Sequence, residues 1–199
     1  MYILGVSAFF HDSAACLIRD GKIVAAAQEE RFSRIKQDYD FPLNSILYCL
    51  DEAKIDASKI DGIVFYEKPF LKFERLLETY FSFAPKGFIS FTKSMPVWIR
   101  DKIFLKAHIV THLKEMFGND VDWNERLLFS DHHLSHAASA FYPSPFQKAA
   151  VLTIDGVGEW TTTSVAVGDG KELQVVKELK FPHSLGLLYS AFTYYTGFK

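Results

Sequence analysis

Cysteine is scarce in this chain: there are two in 199 residues, Cys16 and Cys49, and both lie in apolar runs (AACLI and LYCL). That placement excludes a disulfide-built scaffold and leads to the expectation of free core thiols in a reducing compartment. Long hydrophobic runs are missing too. No uninterrupted apolar stretch approaches the ~20 residues of a membrane span, so no membrane helix is expected. The first residues already follow a strand pattern, which argues against a secretory leader. Excess charge of one sign is also lacking. A formal charge of −2 gives no global basic field, which argues against nucleic acid as a partner and leaves phosphate binding to a local site. No Ser/Gly-rich linker or low-complexity tract occurs, and APKG at 84–87 and YPSP at 142–145 are ordinary loop punctuation. A cytoplasmic protein is expected, and its 49% hydrophobic content is enough for a substantial core in one large or two small domains.

The chemistry concentrates in DHHLSHAASAFYPSPFQKAAVLTIDGVGEW, residues 131–160. His132 and His136 stand four apart on an expected helix, where side chains are neighbours and two imidazoles can grip one ion. The following apolar strand, 149–154, delivers Asp155 as a third candidate ligand at the head of a Gly-x-Gly turn. In that turn Gly156, Val157, Gly158 and Glu159 are candidates for contacting a nucleotide phosphate, because little side-chain bulk leaves backbone amides free. A His-x-x-x-His pair alone also fits a helix start or satisfied core polar groups. A zinc protease would need Glu directly after the first His, and that position is His133, so this chemistry is disfavoured.

An internal repeat organises the chain. Residues 2–7, 13–19 and 22–28 read as three strands, the last two joined at Asp20-Gly21, a strong hairpin signal. Strands at 150–154, 162–167 and 172–179 repeat the layout, with a second hairpin at Asp169-Gly170 and Asp-Gly-Lys in both turns. A helix over 42–53 carries Leu43, Ile46, Leu47 and Leu50 on one face, with Pro42 suited to its first turn. A strand at 62–66, helices at 69–81 and 97–117, a strand at 126–130 and a helix at 185–195 complete the pattern. Three antiparallel strands followed by alternating helix and strand describe an α/β protein of the ribonuclease H-like kind. Two such units make the actin-like ASKHA fold, shared by actin, heat-shock chaperones and sugar kinases. The expected subdomains are 1–147, complete, and 148–199, the start of a second; the chain is read as a fragment of a longer protein.

The first turn, GVSAFFHDS, is richer than a phosphate loop needs. Phe9 and Phe10 could fill the core while His11 caps a turn; alternatively His11 and Asp12 project into a cleft and face a substrate. The polar run QEERFSRIK at 28–36 reads as a solvated face or as a pocket lining, with Arg31 and Arg34 placed on the surface. Ser184 is expected to cap the 185–195 helix, and His183 beside it suits either a structural or a cleft position.

GVSAFFHDSAACLI, EERFSRIK, DHHLSHAASAFYPSPF, TIDGVGEWTTTS and PHSLGLLYSAFT together resemble the NodU-type O-carbamoyltransferases, a family of nodulation and antibiotic-modifying enzymes. The resemblance runs through essentially the whole chain and covers the front of the family's usual protein. It implies a TsaD-like domain followed by a YrdC-like domain that lies outside this sequence. The YrdC-like part makes carbamoyl-adenylate from carbamoyl phosphate and ATP, and the TsaD-like part transfers the carbamoyl group to a hydroxyl of a small molecule. The resemblance also implies a divalent metal, iron(II), near the nucleotide phosphates. Carried over by position, its ligands are His132, His136 and Asp155, and a further Asp comes from later in the second repeat. His11 becomes the base or orienter for the acceptor hydroxyl and Asp12 a contact to the acceptor. The fragment alone is expected to be inactive and its metal weakly held. Two other readings are a phosphotransferase of the sugar-kinase kind, which shares the glycine turns without needing the His pair, and a non-catalytic nucleotide-binding module. The last predicts no metal and self-association through exposed apolar surface.

Overall fold

The computed structural model describes residues 1–99 and 103–198. The chain divides into two compact units: residues 1–66 with 103–129, and residues 67–102 with 130–199.

The first unit is built on a five-stranded sheet of order β3-β2-β1-β4-β5. Its strands are β1 (Tyr2–Ser7), β2 (Ala14–Arg19), β3 (Lys22–Gln28), β4 (Gly62–Phe65) and β5 (Leu127–Phe129). The β1-β2-β3 meander is antiparallel, from Tyr2 opposite Arg19 to Ser7 opposite Ala14, whereas β4 and β5 join parallel to β1. Three antiparallel strands plus two parallel ones, added through helical crossovers, are the ribonuclease H-like order expected from the sequence. The β2–β3 turn has Asp20 at φ 50° and Gly21 at φ 79°, the left-handed pair that matches the right-handed twist of the flanking strands.

Short helix α1 (Glu30–Ser33) follows β3, and α2 (Leu43–Ala53) packs on β2 and β3. Ile46, Cys49 and Leu50 of α2 are buried with Leu4, Leu17, Ile63 and Phe65 of the sheet. Helix α5 (Leu105–Phe117) adds Leu105, Ile109 and Leu113 to the same core, with Trp123 of α6 (Trp123–Arg126) fully enclosed. Both cysteines are free, and burial pushes the Cys49 thiol up to about 11, so it behaves as a small core hydrophobe.

The second unit holds α3 (Pro69–Phe83), α4 (Phe88–Trp98) and α7 (His132–Phe141), then the antiparallel sheet β6 (Lys148–Ile154), β7 (Thr161–Asp169), β8 (Glu172–Lys180), and α8 (Leu185–Tyr195). Helix α7 lies on β6 and β7: Ala137 and Phe141 pack with Val151 and Ala166. Although α7 precedes residue 147 in sequence, it serves the second sheet. Gly168 permits this contact, since any Cβ there would overlap the Phe141 ring. Of the helix expected over 97–117, Val97 and Trp98 fall at the end of α4 and Leu105–Phe117 form α5; residues 100–102 of that expectation lie outside the described residues. Helix α4 was not anticipated.

Candidate metal centre and glycine turn

The first turn of α7 is held in place by residues distant in sequence. Asp131, at its N-cap, makes no side-chain cap bond. Its role is taken by Glu159, 6% exposed, whose carboxylate accepts from the backbone N–H of His132 and from that of Lys68. Lys68 in turn places Nζ 2.9 Å from Asp131 Oδ1. Burial raises the Glu159 pKa, and the two N–H donors oppose that rise.

This helix start aims His132 and His136 to one side, one turn apart. Their Nε2 atoms lie 3.1 Å apart, and His132 Nε2 is 2.9 Å from Asp155 Oδ2 at the end of β6. One ligating atom from each of the three residues falls within 4.8 Å of the others. The Asp155 carboxyl is held well below the usual carboxylate range, first by its bond to His132; the Gly156 N–H, 2.6 Å from Oδ1, adds to this. His136 stays open to solvent at its ring, yet its pKa is lowered by partial desolvation and then by His132. Metal ligation requires an ionised carboxylate and neutral imidazoles, and the directions for Asp155 and His136 agree with that. These residues fit a borderline divalent ion such as iron(II), manganese or zinc.

His133 points the other way and locks the helix to the sheet. Its Nδ1 meets Thr153 Oγ1 at 2.7 Å and Ser164 Oγ at 3.3 Å, and burial lowers its pKa. Gly158, at φ 51°, sits against this ring: a Cβ there would overlap the Thr161 carbonyl and stand 3.2 Å from His133 Nε2.

The turn after Asp155 is supported by the start of α8. Ser184 Oγ donates toward the carbonyls of Gly156 (2.6 Å) and Asp155 (3.2 Å) and accepts from Leu187 N–H at 3.0 Å, so it caps the helix as expected. Gly186 lets α8 approach closely, since a Cβ would collide with the Asp155 backbone. Among the described residues, the N–H groups of Val157 and Gly158 have no hydrogen-bond partner. Two free amides on a turn beside a helix N-terminus suit an anion. Glu159 differs from its neighbours, for its carboxylate is occupied in capping α7. A cavity of ≈ 340 Å³ lies nearby, lined by Asp131, His133, Glu159, Thr161 and Glu178 among others. Three carboxylates in its wall make it a poor phosphate site, and none of the three candidate ligands lines it.

In the first unit, Phe9 packs among Phe41, His108 and His112, while Phe10 is exposed and lies over His11. Phe9 thus packs inward as the core reading expects, whereas Phe10 does not. His11 Nδ1 is 2.8 Å from Asp12 Oδ2, both groups are exposed, and Phe9 and Asp12 adopt left-handed φ of 66° and 51°. Arg31 and Arg34 are exposed as expected. Glu29 from the same polar run is 3% exposed and binds the start of α2.

Sequence reasoning missed the Glu67–Lys68 pair at the end of β4. Glu67 is 1% exposed; its Oε2 is 2.7 Å from Lys72 Nζ and 3.8 Å from His132 Nδ1. An acid–base dipeptide directly after a buried strand was the only available signal.

The family described as "Carbamoyltransferase N-terminus" matches residues 2–199. The chain belongs to this carbamoyltransferase N-terminus family. The chain is 58% identical over 198 residues to the uncharacterized protein sll1178 of Synechocystis, covering 100% of this chain and 32% of that protein. It is 37% identical over 190 residues to the nodulation protein NolNO of Sinorhizobium fredii, covering 96% of this chain and 26% of that one. It therefore spans about a third or less of the length of these relatives. A solved structure, YeaZ from Pseudomonas aeruginosa, superposes with TM-score 0.42 at 15% identity, covering 92% of this chain and 68% of that one. Among the described residues no helix is long and apolar enough to cross a membrane.

Proposed function

We propose that this chain is the TsaD-like, N-terminal part of an O-carbamoyltransferase, which transfers a carbamoyl group from carbamoyl-adenylate to a hydroxyl of a small molecule. Family membership supports the transferred group. The observation that carries the site is the convergence of one ring nitrogen each from His132 and His136 with an Asp155 oxygen, all within 4.8 Å of one another. In this reading those residues hold a divalent ion, iron(II), which when bound neutralises charge on the phosphate of the leaving adenylate. Val157 and Gly158 offer their free amides to the same phosphate, and the start of α8 adds its positive dipole end. Gly156 and Gly158 keep side-chain bulk off two positions of the turn. His11, oriented by Asp12, takes the acceptor proton at Nε2, and Asp12 contacts the acceptor. Residues 1–147 and 148–199 are taken as a complete first subdomain and the start of a second. The remainder of a longer protein supplies the rest, a fourth ligand and a YrdC-like domain that consumes carbamoyl phosphate and ATP, in the cytoplasm.

Metal content after anaerobic purification tests the site. Iron, manganese or zinc is expected in the wild type, below one equivalent because the fourth ligand lies outside this chain, and should vanish in His132→Ala/His136→Ala. Equal metal in both proteins would remove the His pair from the site.

A further inference from the structure

We propose that Glu67 is a positioning residue for this centre: its carboxylate holds the Nδ1 side of His132 so that Nε2 stays aimed at Asp155 and His136. The inference rests on the metal-binding reading of those three residues. It starts from burial. A carboxylate that is 1% exposed is costly unless its oxygens are matched. Lys72 Nζ matches Oε2 at 2.7 Å, and the same Oε2 faces His132 Nδ1 at 3.8 Å. That distance is longer than a hydrogen bond; the bond forms only when ligation through Nε2 leaves the hydrogen on Nδ1.

The imidazole has two nitrogens with separate duties. Nε2 lies 2.9 Å from Asp155 Oδ2 and 3.1 Å from His136 Nε2, so it is the nitrogen that would face an ion. Nδ1 must then carry the hydrogen, and a carboxylate is the acceptor that fixes both tautomer and ring orientation. The backbone is arranged to keep the acceptor there. Lys68, the next residue, donates its N–H to Glu159 and its Nζ to Asp131, so the dipeptide grips the first turn of α7. A residue serving only to neutralise Lys72 would not need its chain tied to the histidine's own helix turn.

The test is calorimetric titration of Co2+ into metal-free protein, for wild type, Glu67→Gln, Glu67→Asp and His132→Ala/His136→Ala. It is paired with proton NMR of the His132 Nδ1–H in the Zn2+-loaded protein. Wild type should bind one equivalent. Glu67→Gln should weaken binding about 10- to 100-fold and lose the slowly exchanging Nδ1–H signal, and Glu67→Asp should fall between. If Glu67→Gln does not fold, Glu67→Asp is read in the same two ways. Affinity within twofold of wild type, with the Nδ1–H signal kept and only the melting temperature of the metal-free protein lowered, would reduce Glu67 to a partner of Lys72 and overturn the proposal. No uptake by wild type, or uptake surviving in the double histidine variant, would instead sink the metal reading and take the proposal with it.

Discussion

Glu29 and Glu159 show how far a carboxylate's role can depart from its neighbourhood in sequence. Glu29 follows β3, yet its oxygens accept from Asn44 N–H (3.1 Å), Asn44 Nδ2 (2.6 Å), Ser45 N–H (2.8 Å) and Ser45 Oγ (2.7 Å). It thereby satisfies the open N–H groups of α2, whose own N-cap, Pro42, has no side-chain donor or acceptor to offer. Glu29→Ala strands those donors in a buried setting and should cost about 3 kcal/mol. Urea unfolding followed at Trp123, in a Trp98→Phe/Trp160→Phe background, checks this; a loss under about 1 kcal/mol would mean that water replaces the carboxylate. His112 carries a pH-dependent contribution. Its ring stacks on Phe41 at 4.9 Å and 12°, and its pKa is lowered by burial, then by His108, against opposing effects of Glu115 and Asp40. The folded pKa lies below the unfolded value of about 6.5, so the folded state binds fewer protons. The stabilisation is whole above pH 6.5 and is lost as pH falls through the folded pKa. The urea midpoint should therefore drop from pH 7.5 to 5.5, and by less in His112→Phe. An equal drop in both proteins would assign the effect elsewhere.

At the scale of elements, what the sequence showed and what it hid separate cleanly. Strands β1 and β3 and helix α8 fall where alternation and apolar spacing put them, because each buries one face against its own unit's sheet or leaves a clear cap. Helix α4 was invisible: it buries no residue, carries Pro96 inside, and so has neither an apolar stripe nor uninterrupted helix formers. The candidate ligands were readable because helical spacing puts His132 and His136 together and a strand end presents Asp155. Glu67 and Lys68 were not, since they reach α7 from more than 60 residues away and no periodicity encodes such a meeting. Glu159 was placed in the phosphate turn by its position, whereas its burial turns the carboxylate to the α7 N-terminus. The junction of turn and helix is also where a single methyl should do most harm. Gly158→Ala forces a Cβ onto a left-handed residue, against the Thr161 carbonyl and the His133 ring. A loss of about 2 kcal/mol or more is expected, measured by thermal unfolding. An unchanged melting temperature would show that the turn relaxes around the added methyl.

For the whole molecule, the decisive feature is an uncovered apolar face on the second unit. Alternation along β6 sends Val151 and Thr153 under α7, which leaves Leu152 (62% exposed) and Ile154 (53%) on the opposite face. Helix α8 buries no residue and adds Leu188, Phe192 and Tyr195 to the exposed surface. Clusters of this size and apolarity seldom stay in water on a monomer, and among the described residues β6 is an edge strand of its sheet. The 199-residue chain is therefore expected to self-associate at micromolar concentration through this face. Sedimentation velocity across a hundredfold concentration range should show the sedimentation coefficient rising for wild type. Leu152→Lys/Phe192→Lys should hold it at the monomer value, because each lysine would have to be desolvated against an apolar partner. The face opposite α7 is the one tested, so a matched control, Lys106→Glu on α5 of the first unit, should leave association unchanged. Association that persists in the double-lysine variant would locate the contact elsewhere, and a monomer at every concentration would show that the exposed aromatic side chains fold back onto their own unit in solution.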